Sequence, residues 1–247
     1  MDLMKRKQFF IAVTTTLALL FATATITAAK ARAAAPSPDI DPANFVGRVT
    51  NEFFPLKPGT TFFYEGTKDG VPTSDKMFVT HNTKKILGVK CTVVHHQSFE
   101  EGVLVEDTFD WYAQDVDGNV WYFGEDTKEL DPNGNVISTE GSWEAGVDGA
   151  QPGIIMEAHP RVGDRYHQEF ARGVAEDQAQ VLSLDESTCV RYGCFDDLLL
   201  TKEWTRLEPG VVENKYYAEG VGFILGVMVK GGEERTELVR VTTEGDD

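Results

Sequence analysis

Helical periodicity is almost absent from this chain of 247 residues once its amino-terminal stretch is passed. Without apolar residues at i, i+3 and i+4 there is no helical bundle to build, and no crossover helix of the kind a parallel sheet requires. Basic residues are few, 23 Lys and Arg against 40 Asp and Glu. That balance argues against nucleic acid and anionic membrane surfaces as partners. Catalytic signatures are missing as well. No G-x-S-x-G occurs, and "GSWEAG" lacks the strand, elbow and helix that a nucleophile needs. HExxH, Cys-based zinc spacing and a phosphate-cradling glycine loop are also absent, so no cofactor is expected.

Cysteine is scarce too, with Cys91, Cys189 and Cys194 only. Cys189 and Cys194 can staple a tight turn in "CVRYGC", although directly opposed cysteines sit slightly far apart for a disulfide. Cys91 lies in the apolar run "VKCTVVH" and reads as a buried small hydrophobe.

The amino terminus has a secretory pattern. Lys5, Arg6 and Lys7 precede an apolar, threonine-bearing core from Phe9 to Ile26, and Ala31-Arg32-Ala33 offers small-x-small before a cut at Ala34. An uncleaved anchor helix is the rival reading, but five threonines dilute the core. No Cys follows it, which argues against lipid attachment. The expected organisation is a signal peptide at 1–33, a flexible Pro/Ala leader at 34–50, one β domain at 51–243 and an acidic tail at 244–247. Cleavage would leave 18 basic against 39 acidic residues, a net charge of about −21. The product would be exported, periplasmic or extracellular, with no stable membrane insertion.

Short β-branched and aromatic runs recur between Gly, Asn, Asp and Pro signals. About a dozen follow one another, including "TTFFYEG", "KCTVVHHQSF", "VLVEDTFDWYAQ", "NVWYFGE", "RYHQEFARG" and "VENKYYA". They predict an all-β, single-domain antiparallel meander forming a barrel or half-barrel, with a β-sandwich as the alternative. "PGIIMEAHP", between two prolines, is the place for a helical turn or lid.

Two Asp-x-x-Gly-Asn stretches, from Asp115 and from Asp131, invite a calcium reading. An EF-hand requires Gly at the sixth position and Glu at the twelfth; here those are Val120 and Asp126, or Val136 and Ser142. Both stretches fit three-residue hairpin loops instead, with Gly118 and Gly134 in left-handed conformation. In the first hairpin this register pairs Asp115 with Asn119, Ala113 with Trp121 and Trp111 with Phe123. Phe109, Trp111, Ala113, Trp121 and Phe123 then form one face, and Asp110, Tyr112, Gln114, Val120 and Tyr122 the other. Glu125 falls opposite Phe109 at the end of the apolar face, where a carboxylate needs a partner or water. In the second hairpin Lys128 pairs with Ser138 and Glu129 with Ile137, and the loop projects into solvent.

Other constellations are weaker. His95 and His96 point to opposite sides of a strand, so only one can join a given site. His96, His167 and Glu169 could form a metal site, with His167 and Glu169 on one strand face. Glu176 and Asp177 precede a strand, and Glu144 and Asp148 flank "EAGVDGAQPG"; two carboxylates about one strand apart could serve glycoside hydrolysis, but such pairs arise readily in so acidic a chain.

"FFPLKPGTTFFYEG", "DVDGNVWYFGE" and "KYYAEGVGFI" together resemble a group of exported bacterial proteins without an assigned activity. The likeness runs from about Phe53 to Val241 and implies export and one β-rich domain; the cysteine pair is not a feature of that group. Three functions follow from the residues. The first is a non-enzymatic barrel binding a small, partly apolar ligand on Phe109, Trp111, Trp121 and Phe123, with Glu125 as a polar handle. The second is a metal-dependent hydrolase using carboxylates and His. The third is an envelope or extracellular interaction module pairing through strand edges.

Overall fold

The computed structural model describes residues 40–245. The expected signal peptide, the first residues of the leader and the last two of the acidic tail lie outside them. No helix of the described residues is long and apolar enough to cross a membrane.

Three short strands come first: β1 (Phe45–Val46), β2 (Val49–Asn51) and β3 (Phe54–Leu56). A meander follows with β4 (Thr60–Lys68), β5 (Val71–Ile86), β6 (Val89–Glu100), β7 (Val103–Asp115) and β8 (Val120–Leu130). Then come β9 (Val136–Ser138), β10 (Trp143–Glu144), β11 (Gln151–Met156), β12 (Arg165–His167) and β13 (Glu169–Phe170). A second meander closes the chain: β14 (Asp177–Val190), β15 (Gly193–Thr205), β16 (Val212–Ala218), β17 (Gly222–Lys230) and β18 (Glu234–Thr243).

One antiparallel sheet runs in the order β12-β14-β15-β16-β17-β18-β4-β5-β6-β7-β8-β11-β13. Its end strands, β12 and β13, are separated in the chain by Gln168 alone. The segment 165–170 thus pairs first with β14 and then with β11, nearly closing the sheet into a barrel. Gly153 permits this crossing, because a Cβ there would stand 2.4 Å from the His167 carbonyl oxygen. The hairpin turns are local chemistry. Asp69-Gly70, Leu87-Gly88 and Glu101-Gly102 all have positive φ, as a two-residue type I′ loop demands.

Two cores result. Inside the barrel lie Phe62, Tyr64, Val79, Val94, Val181, Leu199, Tyr217, Ile224 and Leu238. The β2–β3 hairpin covers one end of this interior. Gln114 accepts from the Thr50 and Asn51 amides, and Asn51 donates to the Gly118 and Glu157 carbonyls. Outside, Val93, Trp111, Ala113 and Phe123 are sealed by Ile40, Phe45 and Ala145.

Several expectations are corrected. "PGIIM" is strand β11, paired with β8, not a helical turn; a short apolar run between prolines is ambiguous in period, and an unoccupied partner strand decides it. The leader is part of the fold from Ile40 onward, because Ile40 packs on the outer core and Phe45 packs edge-on against Trp121 and Phe123 while β1 pairs with β7. "RYHQEFARG" is two strands, because its partner changes at Gln168. In the second hairpin Leu130 faces Val136, but an irregularity then sets Glu129 opposite Ser138 instead of Ile137. The acidic tail starts on the fold: Glu244 bonds through its amide to Gly59 and through its carboxylate to His81.

Candidate functional site

The first hairpin begins in the expected register. The Asp115 amide donates to the Asn119 carbonyl at 2.9 Å, and Gly118 has φ of 100°. The Asp115 carboxylate accepts from the Asp117 and Asn119 amides, the Asn119 side chain and the Trp121 indole, so it is used up as a turn acceptor. Asp131 does the same for Asn133 and Asn135 in an exposed loop, and these bonds hold its carboxyl below the usual range. Ala113 faces Trp121 and Tyr112 faces Tyr122.

Gly124 then breaks the alternation. Tyr112 is opposite Tyr122, but Asp110 is opposite Glu125, so β8 carries one extra residue. Gly124 has φ of 128°, and a Cβ on it would stand 2.2 Å from the Trp143 carbonyl oxygen; only glycine fits. The bulge moves Glu125 from the face of Phe109 to the face of Asp110 and Tyr122. The expectation that Glu125 serves Phe109, Trp111, Trp121 and Phe123 is therefore corrected: the side chain points into the barrel. The aromatic residues face outward. Phe123 is 0 % and Trp111 6 % exposed, and Lys84 lies 3.2 Å over the Trp111 ring. Phe109 and Trp121 are half-buried, with Phe109 stacked on His95.

Inside the barrel, facing strands bring charges together. On one wall the Tyr122 hydroxyl donates to Asp110 Oδ1 at 2.7 Å, and the Thr127 hydroxyl donates to Glu125 Oε2 at 2.6 Å. The Trp143 indole donates to Glu169 Oε2 at 3.0 Å. On the opposite wall Lys215 Nζ meets Glu203 Oε2 at 2.9 Å and Glu213 Oε2 at 3.4 Å. His96 Nε2 lies 3.4 Å from Asp75 Oδ1. Lys215 and His96 retain 30 % and 36 % of their side-chain surface although neighbouring groups desolvate them. Both side chains line a half-open cavity.

The electrostatics follow from this enclosure. Burial, then the Asp110 charge, pushes Glu125 up to about 8. Burial also raises Asp110, Glu106, Glu169 and Asp177, the last two reinforced by neighbouring carboxylates. Desolvation opposes charge on His96, but Asp75, Asp110 and Glu106 outweigh it and carry the ring to about 9. Desolvation likewise opposes charge on Lys215, and Glu203 with Glu213 overcomes it, holding the ammonium far above its ordinary range. Glu203 is lowered, since Lys215 outweighs the cost of its burial. Burial pushes the Cys91 thiol up to about 12, so it stays a neutral core group.

Beside these charges the interior holds a cavity of about 210 Å³. Phe54, Phe62, Tyr64, Tyr112, Tyr217 and Phe223 supply its aromatic walls, and His96, Asp110 and Lys215 its polar side. Tyr112 stacks on Tyr122 at 4.8 Å, which ties the cavity wall to the Asp110 hydrogen bond. Larger clefts occur elsewhere. One of 440 Å³ lies beside Arg191 and Arg235, and one of 390 Å³ between Lys68, Pro209 and Glu234; neither has aromatic walls.

The proposed metal ligands do not converge. His96 faces the interior with Asp75. His167 is exposed, while Glu169 is buried against Trp143. The change of partner strand at Gln168 breaks the alternation that put His167 and Glu169 on one face. Among the described residues no group of three or more His, Cys, Asp and Glu stands in metal-holding geometry. Cys189 and Cys194 are directly opposed in the β14–β15 hairpin and form a disulfide.

Sequence reasoning missed Asp110, Tyr112, Tyr217, Lys215 and Glu203 as site residues. Alternation in "VENKYYA" does put Glu213, Lys215 and Tyr217 on one face, a mixed polar and aromatic pattern unusual for a packed wall.

No protein-family model and no curated protein matches the chain. Among solved structures it is similar to the crystal structure of a "putative lipoprotein" from Parabacteroides distasonis. The two share 12% identity at a TM-score of 0.45, over 78% of this chain and 99% of that one.

Proposed function

We propose that this is an exported, non-enzymatic barrel protein that holds a small, partly apolar molecule in its interior. The observation that carries the reading is the 210 Å³ cavity, where six aromatic side chains meet His96, Asp110 and Lys215. Small-molecule sites have this make-up, mostly apolar walls with a few convergent polar groups. Lys215, kept as an ammonium by Glu203 and Glu213, suits a fixed counter-ion better than a nucleophile. Export is supported by the basic and apolar amino terminus ending in Ala31-Arg32-Ala33, and by the Cys189–Cys194 disulfide.

The test uses 2-phenylethanol as a neutral aromatic probe, followed by ligand-observed NMR and calorimetry. Saturable binding is expected, and Val221→Trp, which fills the cavity from its wall, should abolish it without loss of stability. Binding that survives the filled cavity, or no saturable binding at all, would refute the interior site. Amino-terminal sequencing of the exported product should begin at Ala34; an intact terminus would refute cleavage there.

A further inference from the structure

The interior has a charge sign, and that sign selects among partly apolar molecules. Two cationic side chains face the cavity, and both are already committed. Lys215 is held between Glu203 and Glu213, and His96 by Asp75. Asp110 feels the His96 charge and Asp177 that of Lys215, but among the described residues neither carboxyl makes a direct ion pair. Asp110, only 7 % exposed, receives its hydrogen bond from the neutral Tyr122 hydroxyl. Glu125 and Glu169 likewise receive theirs from Thr127 and Trp143. Farther along the interior Asp177 Oδ1 is buried with no hydrogen-bond partner.

An anionic ligand entering this space would add a desolvated negative charge among carboxyls, at a cost its apolar contacts would have to offset. A cation meets the reverse situation. Asp110 offers a charge-assisted hydrogen bond, and the faces of Tyr64, Tyr112 and Tyr217 attract positive charge through their quadrupoles. Glu125 and Glu169, which burial keeps largely protonated at neutral pH, add no positive charge to oppose the cation. We infer that the cavity takes a small organic cation, a protonated amine carried on an apolar body, with the ammonium at Asp110 and the body against the aromatic walls. This rests on the interior cavity being the binding site, as proposed above.

Three probes of nearly one shape separate the possibilities: 2-phenylethylammonium, 2-phenylethanol and phenylacetate, titrated calorimetrically at pH 7.5. The cation should bind at least about tenfold tighter than the alcohol, the difference between an ammonium–carboxylate ion pair and a hydroxyl hydrogen bond, and the anion weakest. Asp110→Asn keeps an acceptor for Tyr122 and should bring cation and alcohol within about twofold. If the alcohol binds and the cation binds no tighter, or if phenylacetate binds best, the cation assignment is overturned while the interior site stands. If none of the three binds saturably, both fall. Should the variant fail to fold, the ranking of the three probes on the unmodified protein decides alone.

Discussion

Glu125→Gln tests whether the bulge at Gly124 really turns this side chain into a desolvated, negatively charged interior. In the folded state burial and the Asp110, Glu106 and Asp177 charges raise the carboxyl from 4.5 to about 8. The folded protein therefore holds this proton more tightly than the unfolded chain. Below pH 4.5 both states are protonated and the group is neutral in the balance. Between 4.5 and 8 only the unfolded chain releases the proton, so stability falls as pH rises and levels off above 8. At about 1.4 kcal/mol per pH unit the full penalty is at most about 5 kcal/mol. The cavity beside Asp110 lets water or counter-ions moderate it, so about 2–4 kcal/mol is the expected size. Glutamine has the shape of the protonated acid and cannot ionise. The variant should match the parent at pH 5 and exceed it by about 2–4 kcal/mol at pH 8.5, on the order of 10 °C in Tm for a domain of this size. Urea denaturation at pH 5, 7 and 8.5, with the disulfide intact, measures this directly. A variant equally destabilised at every pH, or one whose stability falls with pH as steeply as the parent's, would falsify the interior placement of Glu125.

Gly124→Ala should cost about 3 kcal/mol or more, since it combines a positive φ with a Cβ 2.2 Å from the Trp143 carbonyl oxygen; a loss under about 1 kcal/mol by urea titration refutes the requirement. Lys215→Met strips Glu203 of its counter-ion and should cost about 3–5 kcal/mol at pH 7. In the parent the lowered Glu203 contributes stability above its ordinary pKa that is lost on acidification. The variant should lack that acid-side loss, and an unchanged acid limb in a pH series of melts would contradict the pairing. Replacing both Cys189 and Cys194 by Ser opens a loop of six residues and should lower stability by about 2 kcal/mol, with probe binding unaltered; identical melts would show that the staple contributes nothing.

The turns and the first strand pairings are legible because their causes are local. Asp115 and Asp131 carry side chains that bond amides two and four residues on, and glycines supply the left-handed positions, so register follows from the loop outward. It can be followed from Asn119 to Tyr122 and fails at Gly124, where an isolated glycine in a strand is itself a bulge signal. One extra residue there reverses the parity of everything beyond it, which is why Glu125 was assigned to the wrong wall. The outer aromatic face was grouped correctly as Trp111, Trp121 and Phe123. What covers it, Phe45 from 76 residues upstream of Trp121, depends on a contact no local pattern encodes.

By itself the sequence determined the antiparallel class, the hairpin chemistry and the acidic character of the chain. Each depends on residues within a few positions of one another or on composition. Only the tertiary structure decided which face became the interior and which charges meet there. Lys215 reaches Glu203 across neighbouring strands, and Asp110, Glu125, Glu169 and Asp177 converge because the sheet curls until β12 and β13 join its two ends. A curved wall turns residues far apart in the chain toward a common space, and that space, not any motif, is where the candidate site lies.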